Sequence, residues 1–327
     1  MRFVRYLRAM LLCMGWGLAL LTTGAQADSF PTKPVTIVVP YAAGGFTDQL
    51  ARLIAPALSA RWGQPVVVDN RNGGGTTIGT AVVARAPGDG YTLLLTGFGF
   101  TANPMLMKNL PYEPKALAPL TLVADAPSVL FVSNKVPANT LPEFVAYLRA
   151  NPGKVVFASS GNGSSPHIGA ELLASMVGVP IVHAAYRGNA PALNDLMGGQ
   201  VDAMLDSPSS MNFVEAGRMK VIGVASDQPI TRNPKLTPLS KAGVPELASY
   251  ACSGWFGFFL PAKTPATLQQ RIYEDLRAVL AQPEVREGIQ TVGGEPRQAT
   301  PAEFAAYLDA ETRRWAPVIR ERNIRLD

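Results

Sequence analysis

VTIVVPYAAGGFTDQLARLIAPALSARW (35–62) joins three patterns in one stretch: a β-branched run, a glycine pair and a helical stripe. VTIVVP (35–40) reads as a buried strand. Leu50, Leu53, Ile54 and Leu58 recur at helical spacing, so 49–62 reads as an amphipathic helix. A strand, a glycine turn and a helix in that order form the first half of a βαβ unit. The same alternation continues outward. VVVDN (66–70) and YTLLLTG (91–97) read as strands on either side of a helix at 76–86. A second series follows, with strands at 128–133, 155–160, 181–186, 201–206 and 221–226 and helices at 141–150, 165–178 and 190–199. The Pro-rich stretch from Pro229 to Pro245 reads as a long loop. After SGWFGFFLPA (253–262) come only helical patterns, at 265–281 and 301–322.

Two series of this kind predict an α/β protein of two lobes, each a mostly parallel sheet flanked by helices. SVLFVS and SGWFGFFLPA are the expected crossover segments, forming a hinge. The expected lobes are 28–127 together with 254–327, and 128–253. Clefts between such lobes are the usual place for small-ligand sites.

Residues 1–27 stand outside this scheme. Arg2, Arg5 and Arg8 precede an apolar run from Ala9 to Leu21 and then Ala25-Gln26-Ala27, the pattern of a secretory signal cleaved after Ala27. A spanning helix needs about 20 apolar residues, which this run lacks, and Met10-Leu11-Leu12 before Cys13 does not suit lipoprotein processing. Cleavage removes three arginines and leaves 26 basic against 24 acidic side chains, a net charge of +2. No basic block with interleaved aromatics remains to follow a phosphate backbone, so nucleic acid is not an expected partner. Cys252 is then the only cysteine, which excludes an internal disulfide. The 47% hydrophobic composition is enough to fill two cores instead.

Two stretches carry the candidate site. PYAAGGFTDQLAR (40–52) sets Gly44 and Gly45 between a strand end and a helix capped by Thr47 or Asp48. Carboxyl ends of strands in open α/β sheets are where ligands bind, and helix N-terminal amides suit anions. An ordinary glycine turn with a helix cap fits the same residues. VVFASSGNGSSPHIGAELL (155–173) repeats the arrangement in the other lobe, with Ser160, Asn162, Gly163, Ser164 and Ser165 before a helix that has Pro166 in its first turn. One such start from each lobe can close on one anion.

In chain order, KPVTIVVPYAAGGFTDQLAR, GQPVVVDNRNGGGTTIGTAVVARAPGDGYTLLL, NPGKVVFASSGNGSSPHIGAELL and HAAYRGNAPALNDLMGGQVDAML make the sequence similar to the substrate-binding proteins of tripartite tricarboxylate transporters, the Bug family. The resemblance covers the chain beyond residue 27, including PEVREGIQTVGGEP and TPAEFAAYL. It implies a type II-like periplasmic binding protein fold, a small mono- or dicarboxylate ligand, and membrane transporter subunits as partners, while the aromatic residues near the candidate loops favour a ligand with an apolar or aromatic body. It also implies a carboxylate held by backbone amides and ordered waters. The matching first loop is Tyr41, Ala42, Gly44, Gly45, Phe46, Thr47 and Asp48, and the matching second loop is Ser160–Ser165. The family's Tyr-Lys/Arg-Gly turn matches Tyr186-Arg187-Gly188, and its strand-end acid matches Asp206. Asn189 departs from the second glycine of that turn. Phe46, Phe98 and Phe100 are expected in loops facing the cleft.

Several residues admit two readings. Asp206 either meets a ligand donor or caps the helix near Pro208. Arg187 is either a bidentate carboxylate clamp or a solvated charge. His167 is a structural or ligand-orienting group rather than the base of a Ser164/His167/Asp206 triad, since no GxSxG elbow is present. His183 is expected to be packed. The histidines do not belong to a cluster of ligand-type residues of the kind a metal site needs, and the glycines at 73–75 lack the lysine of a P-loop. No cofactor, metal or enzymatic activity is therefore expected, and the chain is read as a monomer. A ligand-sensing receptor and an exported serine hydrolase are the alternatives.

Overall fold

The computed structural model describes residues 30–326 except 187, 227, 228, 232 and 322, and residues 34–327 cluster as one unit. The expected signal segment lies outside the described residues. The decisive stretch folds as a strand β1 (Val35–Val39) and a helix α1 (Phe46–Trp62). Leu50, Ile54 and Leu58 of α1 are fully buried, and Gly63 ends the helix in the left-handed conformation at φ 64°.

The chain continues through β2 (Val66–Asn70), α2 (Thr77–Arg85), β3 (Thr92–Gly97), α3 (Gly99–Leu106), β4 (Leu117–Pro127) and β5 (Val129–Val132). Next come α4 (Leu141–Ala150), β6 (Val156–Ser159), α5 (Ser165–Met176), β7 (Val182–Ala185), α6 (Asn189–Gly198), β8 (Ala203–Asp206), α7 (Met211–Glu215) and β9 (Lys220–Val224). The last part is β10 (Ser253–Pro261), α8 (Ala266–Leu280), α9 (Pro283–Thr291), β11 (Glu295–Pro296) and α10 (Pro301–Glu321).

The described strands form a sheet in the order β11-β4-β10-β3-β1-β2 and a second in the order β7-β6-β8-β5-β9. The α/β architecture of two helix-flanked sheets is the expected one, and the pairing within each sheet is mixed. In the first, β1 pairs in parallel with β2 and β3, whereas β10 runs antiparallel to β3 and β4. In the second, β6 is parallel to β7 and β8, and β5 is antiparallel to β8 and β9. The antiparallel strands are the ones next to the chain's passages between sheets, so they arrive without a crossover helix to set their direction.

Those passages correct one expectation. SGWFGFFLPA does not run between the sheets, because all of β10 pairs inside the first. The outward passage is Ser128, between β4 and β5, and the return is the step from Cys252 to Ser253. They lie side by side: the Ala225 amide donates to the Ser128 carbonyl and the Cys252 amide to the Ala225 carbonyl, each at 2.7 Å. Among the elements not expected are β4, eleven residues long, β11, only two residues long, and α3, which sits where the sequence reads as loop.

Side-chain alternation divides the interior. Leu130 and Val132 of β5 face a core with Phe144, Phe157, Ile168 and Leu173, while Val129 and Phe131 face another with Leu193, Leu196 and Met204. Phe98, Leu106, Trp315 and Ile319 belong to the first of these cores. Thus α3 and α10 pack against second-sheet elements as well as first-sheet ones, and α10 touches both β4 and α5.

Candidate functional site

The carboxyl ends of β1, β6 and β8 open on two adjoining cavities. One, of about 410 Å³, is lined by Tyr41, Ala42, Asn72, Thr76 and Phe98 from first-sheet segments and by residues 160–166 from the second. The other, of about 330 Å³, is lined by Phe46, Gln49, Ser128, Asn189, Asp206 and Val292 among others. Ser160, Ser165, Pro166, Gly254 and Phe256 line both, which makes them two ends of one cleft. The Phe256 ring is 4.9 Å from the Phe46 ring and 6.5 Å from the Tyr41 ring, giving the cleft an aromatic wall.

The first loop is braced from below. Asp48 is a buried carboxylate that accepts the Gly44 amide at 2.8 Å and the Arg52 Nε at 3.0 Å on both oxygens. Burial alone would raise its pKa, but the Arg52 and Gly44 donors reverse this and leave it below the ordinary carboxylate range. No side chain caps α1 at Gly45, so the expected Thr47 or Asp48 cap is replaced by this brace. Thr47 and Asp48 are buried, and neither they nor Gly44 or Gly45 line the cleft. Tyr41, Ala42 and Phe46 do. Gly44 has φ +82° and Gly45 donates to the Ala42 carbonyl, so the glycine pair bends the backbone and Ala42 presents it.

The second loop is braced by its histidine. His167 Nδ1 accepts the Gly163 amide at 3.0 Å, and its ring stacks on that of His183 at 3.6 Å and 9°. His183 Nε2 meets the buried Ser159 hydroxyl at 2.7 Å, and that hydroxyl also bonds the Gly161 backbone. Burial, aided by the neighbouring His183, pushes the His167 pKa down to about 4, and burial lowers that of His183. Both rings are neutral at physiological pH. The triad geometry is absent among the described residues: Ser164 Oγ donates to the Gly161 carbonyl, and Asp206 engages Asn189 and Ser210 rather than His167.

These braces consume the amides of Gly44, Gly45, Gly161, Gly163 and Ser164. Ala42, Asn162 and Ser165 line the larger cavity, and their amides have no acceptor among the described residues. At the start of α5, where the helix dipole is positive, the N–H of His167 likewise has no acceptor among the described residues.

Asp206 lies at the end of β8 and is buried. Asn189 Nδ2 donates to one of its oxygens and Ser210 Oγ to the other at 2.6 Å. Burial raises its pKa against the pull of Ser210, the Ser207 amide and Asn189. Tyr186 turns away from the cleft lining and donates its hydroxyl to Asp195 at 2.6 Å. Arg187 lies outside the described residues.

The aromatic expectation is partly corrected. Phe98 borders the larger cavity from the residue before α3 and packs edge-on against Trp315 at 5.4 Å. Phe100 lies inside α3 and is buried against Phe259 at 4.4 Å. Phe98 thus stays in the cleft-facing turn before α3, whereas Phe100 does not face the cleft. Sequence reasoning passed over the loop 72–76, whose Asn72, Gly73, Gly75 and Thr76 line the cleft. Its signal was the glycine run at 73–75, and these three residues and Thr76 all have positive φ. Asn103 holds the loop by donating to the Gly75 carbonyl at 2.7 Å. Phe256, Gly254 and Gln49 were also passed over. Among the described residues, no group of three or more His, Cys, Asp or Glu is placed to hold a metal ion, and no helix is long and apolar enough to cross a membrane.

Known proteins share this frame. A protein of R. palustris, Rpa4515, solved with adipate, is similar to the chain with a TM-score of 0.80 at 32% identity, covering 90% of this chain and 99% of that one. MatC from Rhodopseudomonas palustris, with bound malate, gives 0.74 at 29% identity, covering 89% of this chain and all of that one. A UPF0065 protein in the tcbD-tcbE intergenic region of Pseudomonas sp. (strain P51) is 36% identical over 316 residues, covering 94% of this chain and 92% of the relative. The family model for the tripartite tricarboxylate transporter family receptor matches residues 50–324. With a cleft between two helix-flanked sheets and a match over most of its length, the chain belongs to the tripartite tricarboxylate transporter receptor family, whose members are solute-binding proteins rather than enzymes.

Proposed function

We propose that this receptor captures a small carboxylate in the cleft and delivers it to the membrane subunits of a tripartite tricarboxylate-type transporter, working in the periplasm as a monomer after cleavage behind Ala27. The observation that carries the reading is the set of acceptor-free amides at Ala42, Asn162 and Ser165, contributed from both sheets to one cavity. Such amides bind an oxyanion without a cationic side chain, helped by the N-terminal end of α5. The adipate and malate in the two related structures are ligands of the same chemical class.

In this reading, 28–127 with 254–327 forms one lobe and 128–253 the other. The paired passages at Ser128 and Cys252–Ser253 form the hinge. A carboxylate touching amides from both sides stabilises the closed arrangement over the open one, so closure is a shift of population driven by the ligand. The site residues assigned to ligand are Tyr41, Ala42, Phe46, Ser160, Asn162 and Ser165. His167, Gly163, Gly44 and Asp48 hold the loops in shape.

Ser165→Pro tests this. Proline at the first helical position deletes the N–H together with the Ser165 hydroxyl, which Ser165→Ala removes alone as a control, and Ser164 already has the extended φ −67° and ψ 157° that a following proline requires. A thermal-shift screen with mono- and dicarboxylates should stabilise the wild-type chain by RT ln(1 + [L]/Kd) without ligand turnover. The variant should melt at the wild-type temperature when free and bind at least about tenfold more weakly. Unchanged affinity in Ser165→Pro would remove the amide from the site, and ester turnover lost in Ser164→Ala would replace the receptor reading with hydrolysis.

A further inference from the structure

The two ends of the cleft have opposite hydrogen-bonding character. At the Ala42–Asn162–Ser165 end, the backbone offers donors. At the other end, the side chains that line the cavity are Gln49 from α1, Asn189 from α6, Asp206 from β8, and the serines 128, 207 and 209. Gln49 and Asn189 are amides with one donor face and one acceptor face, and their orientation is settled by their partners. Gln49 Nε2 donates at 2.9 Å to the Gly44 carbonyl, which can only accept. Asn189 Nδ2 donates to the Asp206 carboxylate, which accepts a second bond from Ser210. In both side chains one N–H is thereby used on the protein, which fixes the side chain's orientation, and the carbonyl oxygen is left without a partner among the described residues. One oxygen comes from a first-sheet helix and the other from a second-sheet helix, and the buried Asp206 carboxylate stands behind them.

No lysine, arginine or histidine is among the described residues that line this end. A second carboxylate placed here would meet the buried Asp206 carboxylate and two carbonyl oxygens, with only the remaining N–H of each amide and serine hydroxyls to replace its hydration. A hydroxyl or ammonium would find acceptors from both sides. Resting on the carboxylate reading above, we propose that Gln49, Asn189 and Asp206 form an acceptor-lined subsite that selects carboxylates bearing a hydrogen-bond donor at the far end, amino or hydroxy acids, over diacids of the same length. Asn189 is the specificity-determining member. Its side chain reaches Asp206 from the first residue of α6, where a glycine would leave one carboxylate oxygen without its side-chain donor.

Isothermal titration of the purified chain with matched sets tests this: pentanoate, 5-hydroxypentanoate, 5-aminopentanoate and glutarate, with the four- and six-carbon homologues of each. The donor-bearing acids should bind at least about tenfold more tightly than the diacid of equal length, the size of one hydrogen bond to a polar or charged partner. Asn189→Lys puts a cation on Asp206 and should reverse the order in favour of the diacid. Asn189→Gly should weaken the preference of the wild-type chain for hydroxy acids. Melting curves identify any variant that has lost its fold. A wild-type preference for diacids at every length, or a preference unchanged in both folded variants, overturns the subsite and leaves carboxylate capture standing. If no compound binds, pentanoate included, the carboxylate reading falls and the subsite falls with it.

Discussion

Acidification should loosen the second loop through one residue, His167. Its Nδ1 accepts the Gly163 amide at 3.0 Å and its ring lies 3.6 Å from that of His183. Burial, with the His183 ring adding to it, moves its pKa from the ordinary 6.5 to about 4. The folded state therefore binds this proton less readily than the unfolded chain. The sign follows: the stabilisation is fully present above pH 6.5 and is lost as pH falls toward 4 and through it. Linkage over that gap gives a total of about 3 kcal/mol, of which about 2.5 kcal/mol is lost between pH 7.5 and 4.5. Protonation also turns Nδ1 from acceptor to donor, so the Gly163 amide loses its partner and the loop that presents Asn162 and Ser165 loses its brace.

The assay is urea unfolding at several pH values for the wild type and for His167→Asn, whose side-chain oxygen can accept the same amide but does not titrate. His183 remains in both proteins, so its own lowered pKa cancels in the comparison. The wild type should lose about 2.5 kcal/mol more than the variant between pH 7.5 and 4.5. Carboxylate affinity, corrected for protonation of the ligand itself, should fall only as pH approaches 4 and below, and only in the wild type. Parallel pH profiles for the two proteins would refute the reasoning, because they would mean that His167 is protonated in the folded state at no extra expense.

Two further outcomes follow from the loops. Gly163 has φ +73°, and a Cβ there would lie 2.9 Å from both Leu106 and Leu326. Gly163→Ala should therefore destabilise by about 1–2 kcal/mol, with part of the loss returned by Leu326→Ala, as measured by thermal unfolding of the single and double variants. Asp48→Asn removes the charge that Arg52 and the Gly44 amide both bind, and should cost about 1–2 kcal/mol in urea unfolding at neutral pH. Arg52 is more than half exposed, so most of that loss belongs to the Gly44 turn. Because the Asp48 pKa is lowered in the fold, its contribution is present above the ordinary carboxylate range and should disappear as pH falls through its lowered value. The variant should show a flatter acid profile than the wild type.

Most strands and amphipathic helices were legible in the sequence because their burial pattern is periodic. The α4 range was read as it stands, since Leu141, Phe144, Val145 and Leu148 form one stripe. The helix α3 was not legible for the opposite reason: Phe100, Thr101, Ala102, Asn103 and Leu106 are all buried, and Pro104 lies inside it. A helix buried on most sides has no polar face to mark its period. The two-residue β11 is held by pairing with β4 rather than by any strand-like composition. The passage between sheets was misread at β10 because an aromatic, extended run looks the same whether it crosses or pairs.

At the cleft, the same limit takes another form. The glycine- and serine-rich helix starts were visible as places where backbone could meet an anion, but which amides remain free depends on contacts made elsewhere. Gly44, the most conspicuous candidate, spends its N–H on Asp48, whereas the N–H of Ala42 in the same loop has no acceptor among the described residues. The glycine loop at 73–75 was tested only against nucleotide motifs, and its place is beside the larger cavity. The division of labour has a physical logic. Backbone donors fixed by buried Asp48 and His167 accept any carboxylate, because they contact only the group that all such ligands share. Discrimination must then come from the other end, where Asn189 is a side chain bonded to Asp206 rather than to either braced loop and can be exchanged without disturbing the braces. Substitution at that end changes the ligand while leaving the capture of its carboxylate intact.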